Sequence, residues 1–169
     1  MSEPPFRILP ARAAEAPLVM RFIRELAEYE RLVHEVAATE EGLREALSGD
    51  RPAVEAVIAY AGEEPVGFAL FFHNFSTFAG HQGLYLEDIY VRPEWRGHGF
   101  GRRLLVYLAR VARQRGCPRM EWAALDWNTG AIGFYKGLGA KAMSDWTVYR
   151  LSGEALERLS SEEPAESGK

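Results

Sequence analysis

In the stretch YVRPEWRGHGFGRRLL, residues 90–105, glycines stand at every second position at 97, 99 and 101, with Arg96, Arg102 and Arg103 around them. The stretch joins an apolar, strand-like run to a helix-like run. Without a Cβ, glycine takes positive φ and lets a ligand come close to the main chain. A glycine loop that opens a helix turns several N–H groups toward one point, with the helix dipole behind them. That arrangement suits an anion, phosphate above all. The arginines add charge that pairs with phosphate oxygens. The plainer alternative is a flexible turn carrying solvated arginines. Two nucleotide patterns are excluded. There is no Gly-Lys-Ser/Thr, and Gly-x-Gly-x-Gly is not the Gly-x-Gly-x-x-Gly spacing of a dinucleotide fold, nor does a suitably placed acid follow.

Just upstream, LYLEDIYV carries Glu87 and Asp88 inside an otherwise apolar strand. Side chains alternate across a strand, so the two acids are expected to face opposite ways, with one reaching any given cleft. Two adjacent acids here are hard to explain as surface decoration. The competing reading is an acid at a strand end, solvated or paired with an arginine. Glu30 falls inside the apolar stripe of the first helix, where a carboxylate needs a partner unless the helix has ended and frayed into water. The four histidines, His34, His73, His81 and His98, lack metal-ligand spacing, so no metal is expected. No Ser–His–Asp or Cys–His arrangement is visible. Cys117 reads as a space-filler.

These groups need elements to hold them. FRILPA, residues 6–11, reads as a strand. Val19, Phe22, Ile23, Leu26, Tyr29 and Val33 recur at helical spacing, and a second short helix starts after Thr39, a suitable N-cap. AVEAVIAYA and VGFALFFHNF form a hairpin across GEEP. The loop STFAGHQG leads into the acid-bearing strand, and a helix from about Gly101 to Arg115 follows the glycines. RMEWAALDW reads as a strand, with Trp122 and Trp127 as core residues. NTGAIGFYKGL is a helix that Asn128 caps. Tyr135 lies at the edge of its stripe, the ordinary place for a packed ring with a wet hydroxyl. WTVYRLS is read as a final strand. The expectation is a mixed, mostly antiparallel α/β sheet flanked by helices, one domain over residues 6–159, between a flexible start (1–5) and a disordered tail (160–169).

Length and composition agree. The 169 residues suit one domain, with 47% hydrophobic and 26% charged residues. A net charge of −4 gives no support for nucleic-acid binding. One cysteine suits a reducing compartment. No signal-like leader is seen in MSEPPFRILP, and no apolar run nears the roughly 20 residues that span a bilayer. A cytoplasmic protein without a membrane partner is expected.

Arg96-Gly97-His98-Gly99-Phe100-Gly101 resembles the Arg/Gln-x-x-Gly-x-Gly/Ala signature of the GNAT N-acetyltransferase superfamily. LYLEDIYVRPEWRGHGFG, LDWNTGAIGFYKGLGA and IRELAEYE look like its diamine (spermidine/spermine) and thialysine N-acetyltransferase branch. The resemblance runs from about Phe6 to Leu151. It implies a sheet with a splayed central strand pair and acetyl-CoA as co-substrate, its pyrophosphate on the glycine loop. Further implications are a primary-amine acceptor and a homodimer.

Residue by residue, the resemblance implies that Ile89, Tyr90 and Val91 lie along the pantetheine arm, with Arg96, Gly97, His98, Gly99, Phe100, Gly101 and Arg102 at the pyrophosphate. Asn128 and Lys136 also meet the cofactor. Glu87 contacts the amine and takes its proton, through water; Asp88 supports it. Tyr135 protonates the departing sulfur. Tyr29 and Glu30 line the acceptor site; for Trp122 the alternative to a core place is the border of that cleft. Ser76 and Thr77 stand where polyamine-type members carry an acid near an aromatic, so a short diamine or lysine-like amino acid is expected ahead of spermine. The alternatives are a GNAT protein acting on a peptide amine or an aminoglycoside, and a non-catalytic acyl-CoA sensor.

Overall fold

The computed structural model describes residues 4–162, and two compact units divide the chain after Ala123. The first unit contains a five-stranded sheet in the order β1-β2-β3-β4-β5: β1 (Phe6–Ala11), β2 (Glu55–Ala61), β3 (Glu64–Ser76), β4 (His81–Val91) and β5 (Met120–Glu121). The first three pairings are antiparallel and β4–β5 is parallel, so the sheet is mixed and mostly antiparallel, as expected.

Helices α1 (Ala16–Glu30) and α2 (Glu40–Ala46) follow β1. Pro17 starts α1 where a missing N–H does no harm, and Arg31 ends it in the left-handed region at φ 61°. The stripe Val19, Phe22 and Leu26 is buried with Ile58, Phe68, Leu70 and Tyr90 from one sheet face. The Phe22 and Phe68 rings stack at 5.4 Å. Burying each such side chain contributes about 1.5–3 kcal/mol. Thr39 caps α2 as expected, its hydroxyl accepting from the Gly42 N–H. Helix α3 (Phe100–Gln114) buries Leu104, Leu105, Leu108 and Ala112 and packs against β3 and β4. The alternate strand residues Val57, Ala69, Phe71, Leu84 and Leu86 are buried on the face away from α1.

The second unit holds α4 (Thr129–Gly137) and α5 (Gly153–Ser160). Asn128 caps α4, its Oδ1 accepting from the Ala131 N–H at 3.3 Å.

Several expectations are corrected. The strand read over residues 119–127 is confined to Met120–Glu121, and Trp127, expected in the core, is 54% exposed. Residues 146–152 form no strand. Val148 and Tyr149 are 90% and 91% exposed, and β-propensity expresses fit to a half-buried pleated surface, which this segment lacks. Helix α5 was not anticipated. Its signals were Glu154 and Arg158 at i,i+4 and Leu156 and Leu159 at i,i+3. Val33 lies beyond α1 in a short 3-10 turn, and the 76–83 loop shrinks to a turn at 77–80. Of the expected flexible ends, residues 1–3 and 163–169 lie outside the described residues.

Candidate active site

The glycine loop leaves β4 through a 3-10 turn, Pro93–Trp95. Gly97 and Gly99 have φ of 82° and 78°, values that an L side chain rarely adopts. Gly99 is the N-cap of α3 and offers no side-chain oxygen, so the first-turn N–H groups lack a side-chain acceptor there. A Cβ on Gly97, Gly99 or Gly101 would meet no atom within 4 Å, so the outer surface of the loop is open. An open ring of N–H groups at a helix start, with Arg96 and Arg102 beside it, suits a diphosphate.

The inner side of the loop is braced. Trp95, His98 and Phe100 lie with ring centroids 5.8–6.1 Å apart, and Phe100 stacks on Phe6 at 4.7 Å. His98 Nδ1 lies 3.1 Å from the Arg96 carbonyl. Its ring therefore stiffens the turn.

The two acids are arranged by an irregularity that no periodicity displays. Leu70 pairs with Asp88, but the next residue, Phe71, pairs with Leu86. Glu87 is the extra residue of a β-bulge. It reverses the facing of the strand: Leu84 and Leu86 are buried on one side, whereas Asp88 and Tyr90 share the α1 side with Leu70. The expected opposition of Glu87 and Asp88 in a regular strand thus does not apply. Glu87 is exposed and Asp88 half-buried. Burial, then the charges of Glu87 and Glu30, push the Asp88 carboxyl up to about 6. Burial also raises Glu30, at the end of α1. Burial followed by the charges of Glu87 and Glu121 raises the Tyr85 hydroxyl. Three carboxylates thus act on one region, a field that attracts a cation. Tyr85 belongs to this group and was missed, because its facing depends on the bulge.

Beyond Tyr85, β4 has no strand partner on its β5 side among the described residues. Tyr29 is partly exposed, and the Arg96 guanidinium lies 4.4 Å over its ring. Trp122 is half-buried just past β5. Ser76 is 7% exposed, and its hydroxyl accepts from the Ala79 N–H at 3.2 Å, holding the β3–β4 turn. Within the second unit, Tyr135 is half-buried and Lys136 exposed on α4. No group of three or more potential metal ligands occurs among the described residues, and no helix there is long and apolar enough to cross a membrane.

Residues 20–140 match the family model described as the acetyltransferase (GNAT) family. The chain belongs to the GNAT family. A mouse thialysine N-epsilon-acetyltransferase is 40% identical over 164 residues, covering 90% of this chain and 96% of the relative. An L-ornithine N5-acetyltransferase of Arabidopsis thaliana is 31% identical, covering 90% and 87%. Among solved structures, an integron cassette protein of V. cholerae superposes with a TM-score of 0.76 at 29% identity, covering 93% of this chain and 98% of that one. This GNAT chain is accordingly an N-acetyltransferase with an α/β fold, and its thialysine-acetylating relatives span nearly its whole length.

Proposed function

We propose that the protein, a cytoplasmic homodimer, moves the acetyl group of acetyl-CoA to the terminal primary amine of a short lysine-like amino acid or diamine, with both substrates bound at once. The observation that carries this reading is the convergence of Glu30, Glu87 and Asp88 around the β4 bulge, on the strand that leads into the open glycine loop. Relatives named for thialysine and ornithine, both with an amine at the end of a short chain, support it.

Acetyl-CoA supplies the activated acetyl thioester when bound. Gly97–Gly101 with Arg96 and Arg102 take its diphosphate, and Ile89, Tyr90 and Val91 lie along its arm. Asn128 and Lys136 are assigned to the same co-substrate on the pattern Asn…Phe-Tyr-Lys. An alkylamine with a pKa near 10 is neutral in only about one molecule in a thousand at pH 7. The site must therefore attract an ammonium and then remove its proton. Glu30 and Asp88 supply the attraction, with Tyr29 and Trp122 as walls and Ser76 setting the neighbouring turn. Glu87, the solvent-facing member of the bulge, takes the proton through water. Tyr135 delivers a proton to the sulfur as the C–S bond breaks and the C–N bond forms, and the second proton lost by the nitrogen passes through water to restore Tyr135.

The test is acetyl-CoA-dependent release of CoA with thialysine, lysine, ornithine, putrescine, spermidine, spermine and a lysine-containing peptide. Saturation by a short amine is expected. Spermine reacting far faster than every short amine overturns the acceptor assignment. Silence across the panel with tight CoA binding moves the reading to another acceptor, an aminoglycoside among them, or to a sensor.

A further inference from the structure

We propose that Arg96 is a positioning residue that couples the two substrate sites through the ring of Tyr29, so that filling the glycine loop tightens binding of the amine. The proposal rests on the acetyl-transfer reading above.

One side chain touches three elements. Arg96 opens the glycine loop, and its Nε donates to the Val91 carbonyl, the last residue of β4, at 2.9 Å. Its guanidinium carbon lies 4.4 Å over the Tyr29 ring and 5.6 Å from the centre of the Tyr90 ring, both within the roughly 6 Å reach of a cation–π contact. Tyr90 is buried in the core beneath α1. Tyr29 is the penultimate residue of α1, and the next residue is Glu30, whose charge acts on Asp88.

The position along α1 gives the contact its leverage. Arg92 anchors the helix at Glu25, a full turn earlier. Arg96 grips the turn beyond it. This last turn, closed by the Arg31 and Leu32 N–H groups on the Ala27 carbonyl, carries two acceptor-side residues. With Nε engaged by Val91, the Nη groups of Arg96 bond no carboxylate among the described residues. An anion seated on the loop engages that face of the guanidinium and fixes it over Tyr29. The ordering cost of Tyr29 and Glu30 is then met before the amine arrives, which is positive coupling without a large movement. Linkage requires the reciprocal effect: the amine tightens CoA by the same factor.

Calorimetric titration of thialysine into the full-length protein, with and without saturating CoA, tests this. Thialysine should bind about tenfold more tightly with CoA present, within the usual span of coupling between sites. Tyr29→Phe keeps the aromatic face and should keep the coupling. Tyr29→Leu removes the face and should abolish coupling read from both sides, thialysine with and without CoA and CoA with and without thialysine. Thermal melts establish that both variants are folded. Equal coupling in Tyr29→Leu, or none in the wild type when both ligands bind, overturns the proposal alone. Failure of the wild type to bind CoA overturns the acetyl-transfer reading and this proposal together.

Discussion

Arg92 holds Glu25 by two bonds, Nε to Oε2 at 3.0 Å and Nη2 to Oε1 at 2.8 Å. Its remaining nitrogen donates to the Pro65 carbonyl at 2.9 Å, and its guanidinium lies over Phe22 at 5.1 Å. A paired, largely buried guanidinium thus fastens α1 to the end of β4 and the start of β3. This contact sets where the acceptor end of α1 lies.

Glu25→Gln should lower stability by about 2–3 kcal/mol, less than the ~3–5 kcal/mol lost on breaking a fully buried pair. Urea unfolding measures it. The KM for amine should rise more than the KM for acetyl-CoA, because the helix end moves relative to Asp88.

Asp88 predicts two opposite pH trends. Its carboxyl, raised to about 6 by burial and by Glu87 and Glu30, becomes charged as pH passes that value. Turnover at low amine concentration should rise with pH through about 6, and Asp88→Asn should flatten that limb. Stability runs the other way. Unfolded aspartate releases its proton near about 4, so between about 4 and 6 the folded protein holds more protons than the unfolded chain. Raising pH across that window should cost up to about 3 kcal/mol, which Asp88→Asn would not show. Denaturant midpoints at pH 4.5 and 7, roughly the two ends of the window, give the comparison.

Two glycine substitutions should fail differently. Gly99→Ala meets open space, so its penalty is conformational, about 1–2 kcal/mol at positive φ. It should weaken CoA binding at least tenfold in a folded protein. At Gly67 a Cβ would lie 2.5 Å from the Tyr90 carbonyl oxygen and 3.2 Å from Val91 Cα. Gly67→Ala should force β3 and β4 apart and lower stability by about 1–3 kcal/mol. Parallel CoA titrations and melts separate the two.

Tyr135→Phe should reduce kcat at least 100-fold while CoA binds as before, the range over which general acids contribute. Undiminished kcat would remove Tyr135 from the reaction and leave sulfur protonation to water.

Much of this was legible from residues. The glycine loop, the mixed sheet, and the Thr39 and Asn128 caps follow from backbone freedom, periodicity and side-chain oxygens placed before helices. The bulge at Glu87 was not, because alternation assumes an uninterrupted ladder. Two consecutive acids in an apolar strand were its trace. The inward turn of Arg96 onto Tyr29 was also invisible, since the contact joins residues distant in sequence. Residues 146–152 show the reverse error, a strand-like composition with no strand formed.

The extra residue in β4 makes chain length itself a constraint. Losing one residue beyond the bulge, Ile89 for example, would turn the rest of the strand over and draw Tyr90 out of the α1 core, whereas losing Glu87 itself would restore even pairing and keep Asp88 opposite Leu70. A substitution here changes one contact, whereas a deletion outside the bulge inverts the strand beyond it. The turn at 77–80, with Phe78 fully outside, carries no such burden. Among descendants of this sequence, insertions and deletions should therefore collect in the turn, while β4 outside its bulge changes its letters and keeps its count.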